Sequence, residues 1–140
     1  MPTTEEALIL LAKIRDERKL GYETKLFVER DWAVLQILIP GSKEKAIVYS
    51  PGDRWVSVDL PGEFSALHLE EEISEVDFSA WIHRYFDVAI AYLEGRYVTQ
   101  HSRLFRVPRL IVETDSGPVE LNLAFKATIR AIFYRGRTAG

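Results

Sequence analysis

The chain contains no cysteine. It therefore has no disulfide framework, no thiol nucleophile and no thiolate metal ligand. It has only three histidines, His68, His83 and His101. None sits in an HExxH or a two-histidine helical pattern, so a closed metal site cannot be assembled from the sequence. The nearest approach is His68 with Glu70, which alternate onto one side of a strand. No apolar run approaches the ~18 residues of a membrane helix. The opening Met1-Pro2-Thr3-Thr4-Glu5-Glu6 is acidic, whereas a secretory signal is basic and then strongly apolar. These absences set the expectation of a cytoplasmic protein with no membrane partner. There is no GxxxxGK[ST] or GxGxxG to cradle a phosphate, and no GxSxG elbow. Ser102 beside His101 has no third group to complete a triad. No cofactor is implied, and no reaction is spelled out.

The 140 residues suit one domain over positions 1–140, and at 47% hydrophobic they can bury a core. What organises the chain is a set of three Pro-Gly pairs: Pro40-Gly41, Pro51-Gly52 and Pro61-Gly62. Proline presets φ at the first central position of a turn, and glycine accepts positive φ at the second. Between them lie β-rich runs at 33–39, 46–50, 55–60 and 64–69, with a further short strand at 25–30. The reading is an antiparallel meander. In the strand from Trp32, both faces are apolar, which predicts a central position covered on both sides. A two-residue loop at Pro61-Gly62 would pair Leu60 with Glu63. It would set Trp55, Ser57 and Asp59 opposite His68, Ala66 and Phe64, so that Trp55 touches His68 on a mixed aromatic and polar face. A half-exposed face covered by a loop or by the first helix explains the same pattern.

Two helices complete the plan. The first spans residues 3–20, with Thr3 and Glu6 as a capping box and Leu8, Leu11, Ile14 and Arg18 on one stripe. The second runs from about Glu75 to Glu94, with Ser74 as N-cap and Ile73 and Phe78 as a hydrophobic staple. Phe78, Trp81, Ile82, Tyr85, Ala89, Tyr92 and Leu93 face the sheet. Phe86, Val88 and Ile90 flank that stripe, so a homodimer through the helix from Ser74 to Glu94 is conceivable. On its polar side, His83 and Asp87 stand one turn apart as a surface pair. After a linker, strands return at 104–107, 109–113, 119–125 and 127–134, with a turn at Asp115-Ser116-Gly117-Pro118 and a frayed tail over 135–140. The fold class is α+β: a largely antiparallel sheet of about eight strands with an N-terminal helix and a second helix packed on the sheet.

Charge is uneven. Residues 1–95 hold 10 Lys/Arg against 18 Asp/Glu, and residues 96–140 hold 8 against 3, which combine to the net −3. Glu70, Glu71 and Glu72, followed by Glu75 and Asp77, form the densest acidic run, where a helix dipole favours them. Arg96, Arg103, Arg106, Arg109, Arg130, Arg135 and Arg137 make the C-terminal third basic. No nucleic-acid-binding signature accompanies them, and the whole chain is acidic, so nucleic acid is a poor candidate partner.

The segment from Ala46 through Asp53-Arg54-Trp55 to Val58 resembles the strand, polar turn, tryptophan and strand of small actinobacterial immunity proteins of polymorphic-toxin systems. The layout of the second helix, ending Tyr92-Leu93-Glu94-Gly95, and of a later hairpin is similar too. The resemblance implies a non-catalytic, protein-binding module that neutralises a toxin domain by covering its active site. The residues it points to are Asp53, Arg54 and Trp55 at the turn, Asp59, Phe64 and His68 on the mixed face, and Glu70, Glu71 and Glu72. A secretion-chaperone-like dimer that holds an extended client is similar in element order. A small-ligand binder using the Trp55/His68 face is the third reading.

Overall fold

The structure, a computed structural model, describes residues 2–18, 21–101 and 107–123. Helix α1 (Thr4–Arg18) begins where the Thr3 hydroxyl accepts the Glu6 amide at 3.1 Å, half of the expected capping box. Its buried stripe is Ala7, Leu11 and Ile14. The strands are β1 (Thr24–Glu29), β2 (Trp32–Leu38), β3 (Lys45–Ser50), β4 (Trp55–Leu60), β5 (Phe64–Leu69), β6 (Tyr97–His101), β7 (Pro108–Thr114) and β8 (Gly117–Leu123). They form one antiparallel sheet in the order β1-β2-β3-β4-β5-β8-β7-β6. Helix α2 (Glu75–Leu93) connects β5 to β6, and its N-cap Ser74 accepts the Asp77 amide at 3.2 Å.

The sheet is two meanders joined edge to edge. The first is β1 to β5: Arg30-Asp31 turns β1 into β2, with Arg30 at φ of 56°, and the Pro-Gly pairs make the other three turns, where Gly41, Gly52 and Gly62 all take positive φ. The second is β6 to β8. Both helices pack on one face, α1 over β1 and β2, α2 over β3, β4 and β7. Beneath them Leu35, Ile37, Val48, Val56 and Val58 are sealed from solvent in one cluster with Leu11, Ile14, Ile82 and Phe86. Each such side chain contributes roughly 1.5–3 kcal/mol by leaving water, which is why this face is where the chain commits its helices.

Buried Ser50 closes the β3–β4 turn by donating to the Trp55 carbonyl at 2.5 Å and accepting the Gly52 amide at 2.9 Å. The Thr4 hydroxyl lies 2.7 Å from the Asp31 carbonyl and 2.9 Å from that of Pro51, tying two turns to the start of α1.

Several sequence readings are corrected. The β4–β5 loop has three residues, with Leu60 opposite Phe64, and Gly62 and Glu63 both at positive φ. This one-residue shift turns every β5 side chain to the other face. Val56 therefore stands opposite His68 and Trp55 opposite Leu69, so Trp55 and His68 do not meet. Strand β2 lies next to the sheet edge, with helices on one side only. The segment read as a linker after Gly95 contains β6, an edge strand exposed at every position, and so without the alternation that marks a half-buried strand. Of the apolar flank of α2 that suggested a dimer face, Phe86 and Val88 are fully buried within the chain, with Arg18 of α1 over the Phe86 ring, while Ile90 is partly exposed. Asp87 pairs with Arg18 at 2.6 Å, while His83 Nδ1 sits 2.8 Å from the Ser79 carbonyl oxygen. The predicted strand at 127–134, the tail and most of the 104–107 strand lie outside the described residues, as do Arg103, Arg106, Arg130, Arg135 and Arg137.

Candidate functional site

Alternation decides what the helix-free face of the sheet carries. With Ala33, Val48 and Val56 pointing to the helices, Trp32, Tyr49 and Trp55 point away. Their rings form a triangle. Trp32 and Trp55 are 5.2 Å apart at 77°, Tyr49 and Trp55 5.4 Å apart at 83°, and Trp32 and Tyr49 5.9 Å apart at 37°. The two contacts of Trp55 are edge-to-face and that of Trp32 with Tyr49 is tilted. The rings pack on one another as a half-buried aromatic plate, and all three border one open depression. The Arg30 guanidinium sits 5.3 Å from the Trp32 ring, extending the plate towards the β1–β2 turn. Val34, between Phe27 and Tyr49 in the register, is only 5% exposed although no helix covers it.

Beside the plate, the Tyr49 hydroxyl donates to Asp59 Oδ2 at 3.0 Å. Burial pushes the Asp59 carboxyl above its ordinary value, and the hydrogen bond from Tyr49 opposes that rise. Burial is also the main cause that pushes the Tyr49 phenol up to about 12, with the Asp59 charge adding to it. A phenol that holds its proton so firmly is a poor acid or base near neutral pH, so the pair is a fixed donor and acceptor rather than a proton-transfer dyad. Two shallow depressions flank it. One, of about 320 Å³, is lined by Trp32, Tyr49, Trp55, Ser57, Ser65 and Leu67. The other, of about 310 Å³, is lined by Tyr49, Asp59, Glu63, Phe64 and Ser65. Leu67 and Leu69 stand on the same face, 58% and 67% exposed.

One end of the sheet gathers the acidic groups. The Asp53 carbonyl accepts the Ile73 amide at 2.6 Å and the Arg54 carbonyl accepts the Glu70 amide at 3.0 Å. These bonds hold the β5–α2 connection, with Glu70, Glu71 and Glu72, against the β3–β4 turn. Six of the nine residues singled out in the sequence, Asp53, Arg54, Trp55, Glu70, Glu71 and Glu72, are thereby brought to one rim. Asp59 shares the open face with Trp55, further along β4. His68 does not belong to that face, and Phe64, opposite Leu60, reaches it only as part of the wall of the second depression. Phe64 packs against the core cluster, and His68 lies flat on Trp81 of α2, its Nε2 3.1 Å from Glu70 Oε2. The two atoms are close but do not form a hydrogen bond.

Sequence reasoning missed Trp32 and Tyr49 as partners of Trp55. The signal was present: all three occupy outward positions once the alternation of β2, β3 and β4 is aligned through the Pro-Gly turns. In the basic third, Arg96 is paired with Glu94 and Asp115 at 3.2 and 3.1 Å, and Arg109 with Glu120 at 3.1 Å, so these two guanidinium groups are already engaged. Among the described residues no group of three metal-ligating side chains converges, and no helix is long and apolar enough to cross a membrane. No family model, curated protein or solved structure matches the chain.

Proposed function

We propose that this chain is a non-catalytic, protein-binding module that acts as an immunity protein, covering the active site of a partner toxin domain with the helix-free face of its sheet. The observation that carries the reading is the aromatic plate of Trp32, Tyr49 and Trp55, half-buried on a face that neither α1 nor α2 covers, directly beside the acidic rim. Large rigid aromatics are the side chains that dominate binding energy at protein interfaces. The rim supplies Asp31, Asp53, Glu70, Glu71 and Glu72 against Arg30 and Arg54, which favours a basic partner surface and speeds its approach. The hydroxyl and carboxylate bonded to each other beside the plate, those of Tyr49 and Asp59, are a fixed donor and acceptor rather than a proton-transfer pair, which favours binding over catalysis. The reading places the protein in the cytoplasm.

The test is capture of the tagged protein from its native cell lysate, followed by reconstitution with the purified partner. One stoichiometric partner whose activity is abolished on binding, with both effects lost in Trp55→Ala, is the expected result. Recovery of the protein alone, or a partner held equally well by Trp55→Ala, overturns the reading. The client-holding alternative has less behind it, since two of the three flanking residues of α2 that suggested a dimer face, Phe86 and Val88, are buried within the chain.

A further inference from the structure

Among the described residues the two meanders pair through Phe64 with Leu123 and Ser65 with Asn122. The register would continue from Ala66 and Leu121 to Leu69 and Pro118, but none of those pairs forms. The remaining length of β5 and the facing length of β8 are both regular strand, so among the described residues two strand edges face each other unpaired in the middle of a sheet. This is a fork, and α2 spans it by packing on β4 and on β7. Trp81, Arg84 and Tyr85 of α2 form its floor, in a cleft of about 480 Å³. Trp81 and Tyr85 meet edge to face at 5.5 Å. The Arg84 guanidinium lies 5.3 Å from the Trp81 ring and has no carboxylate partner among the described residues, while Glu120 on the β8 side is already paired with Arg109.

We propose that the fork is a docking slot for an extended peptide segment that carries a carboxylate. The segment adds as a strand to the free edge of β5 at 66–69, using main-chain hydrogen bonds that a mid-sheet edge otherwise leaves to water. Its alternate side chains point down onto Trp81 and Tyr85, and one acidic side chain reaches Arg84. A guanidinium held over an indole and unopposed by an acid is pre-set for that contact, and charge complementarity is what selects an acidic segment over a neutral one. The slot shares Ser65 and Leu67 with the depression beside the plate, but its floor is on α2 and none of Trp32, Tyr49 and Trp55 lines it. The rim strands β1 and β6 also have outer edges, and Tyr92 of α2 stacks on Tyr97 of β6 at 4.5 Å, but the cleft of the fork is the one that brings a guanidinium, that of Arg84, onto its aromatic floor.

The chain's own chemistry suggests the probe. The synthetic peptide Thr-Val-Thr-Glu-Thr-Val-Thr places Val and Glu on one face when extended, and a second peptide replaces Glu by Lys. Calorimetry with the whole protein is expected to give binding of the Glu peptide, with the Lys peptide weaker by about tenfold or more. Arg84→Glu is expected to invert that preference and Arg84→Gln to abolish it, both with unchanged thermal unfolding because Arg84 is exposed. Amide exchange should slow at 66–69 when the Glu peptide is bound. Trp55→Ala should leave peptide binding intact, so loss of the folded partner and loss of the peptide are distinguishable. No binding of the Glu peptide, binding indifferent to Arg84→Glu, or protection that appears only at the β6 edge each overturns the slot.

Discussion

His68 lies flat on Trp81, with ring centroids 3.7 Å apart and planes 13° from parallel, on the opposite side of the sheet from Trp55. The stack explains why a histidine is tolerated on the helix side of β5: its ring is used as a flat apolar surface against α2. Removing Trp81 should therefore cost stability without touching the aromatic plate. Trp81→Ala is expected to lose about 2–4 kcal/mol in urea unfolding, the lower part of the range for a buried tryptophan because the residue is half-buried. Capture of a folded partner should be unchanged. A Trp81→Ala protein of normal stability would remove the stack from the account of the fold.

The register that separates His68 from Trp55 can be measured directly, because a chain with no cysteine accepts engineered pairs without competition. Ser57 faces Leu67, not Ala66. The double variant Ser57→Cys with Leu67→Cys should oxidise readily to an intramolecular disulfide, since the two side chains leave the same face of adjacent strands. Ser57→Cys with Ala66→Cys should not, because those side chains leave opposite faces. The reverse pattern would restore the two-residue loop and put His68 back beside Trp55.

That single residue of loop length also shows how much was legible in advance. The strands at 55–60 and 64–69, the N-cap of α2 and the positive φ of three glycines all follow from local chemistry, which the sequence displays. The face of β5 does not, because His68 and Leu67 are each acceptable on either side, and the choice rests on Glu63 adopting φ of 65°, which non-glycine residues seldom do. Strand β6 was illegible for a different reason. An edge strand exposed on both faces has no hydrophobic period to read. In the candidate site, Trp55 and Asp59 could be found from alternation alone. The convergence of Asp53 and Arg54 with Glu70, Glu71 and Glu72 depends on two main-chain hydrogen bonds between segments distant in sequence, which no local pattern encodes.

Gly52 is where the meander meets the first helix. It has φ of 117°, and an added Cβ would stand 2.6 Å from the Pro2 carbonyl oxygen and 2.8 Å from the Thr3 carbonyl carbon. Gly41 has φ of 75° with nothing within 4 Å. Gly41→Ala therefore carries backbone strain alone, about 1–2 kcal/mol. Gly52→Ala carries strain and must also push the start of α1 away, so its loss should exceed that of Gly41→Ala by at least ~1 kcal/mol. Urea unfolding of the two variants side by side checks this. Equal losses would mean that the chain before α1 does not seat against the β3–β4 turn.

Asp59 sets a pH dependence whose sign runs against the usual one for a carboxylate. Burial raises its folded value above the ordinary 3.8, and the hydrogen bond from Tyr49 offsets only part of that. The fold thus prefers the neutral acid. The stability this contributes is complete below 3.8 and is lost as pH rises through the higher folded value. At neutral pH the ionised carboxylate is a burden on the fold. Asp59→Asn keeps an acceptor for the Tyr49 hydroxyl and carries no charge at any pH. It should melt at a higher temperature than the native chain at pH 7, and the gap should close as pH falls towards about 4. Subtracting the two melting curves at each pH cancels the other carboxylates, which titrate in both proteins. A gap that widens on acidification would show that the Tyr49 hydrogen bond outweighs burial, and Asp59 would then be a stabilising anion whose loss weakens the sheet beside the plate.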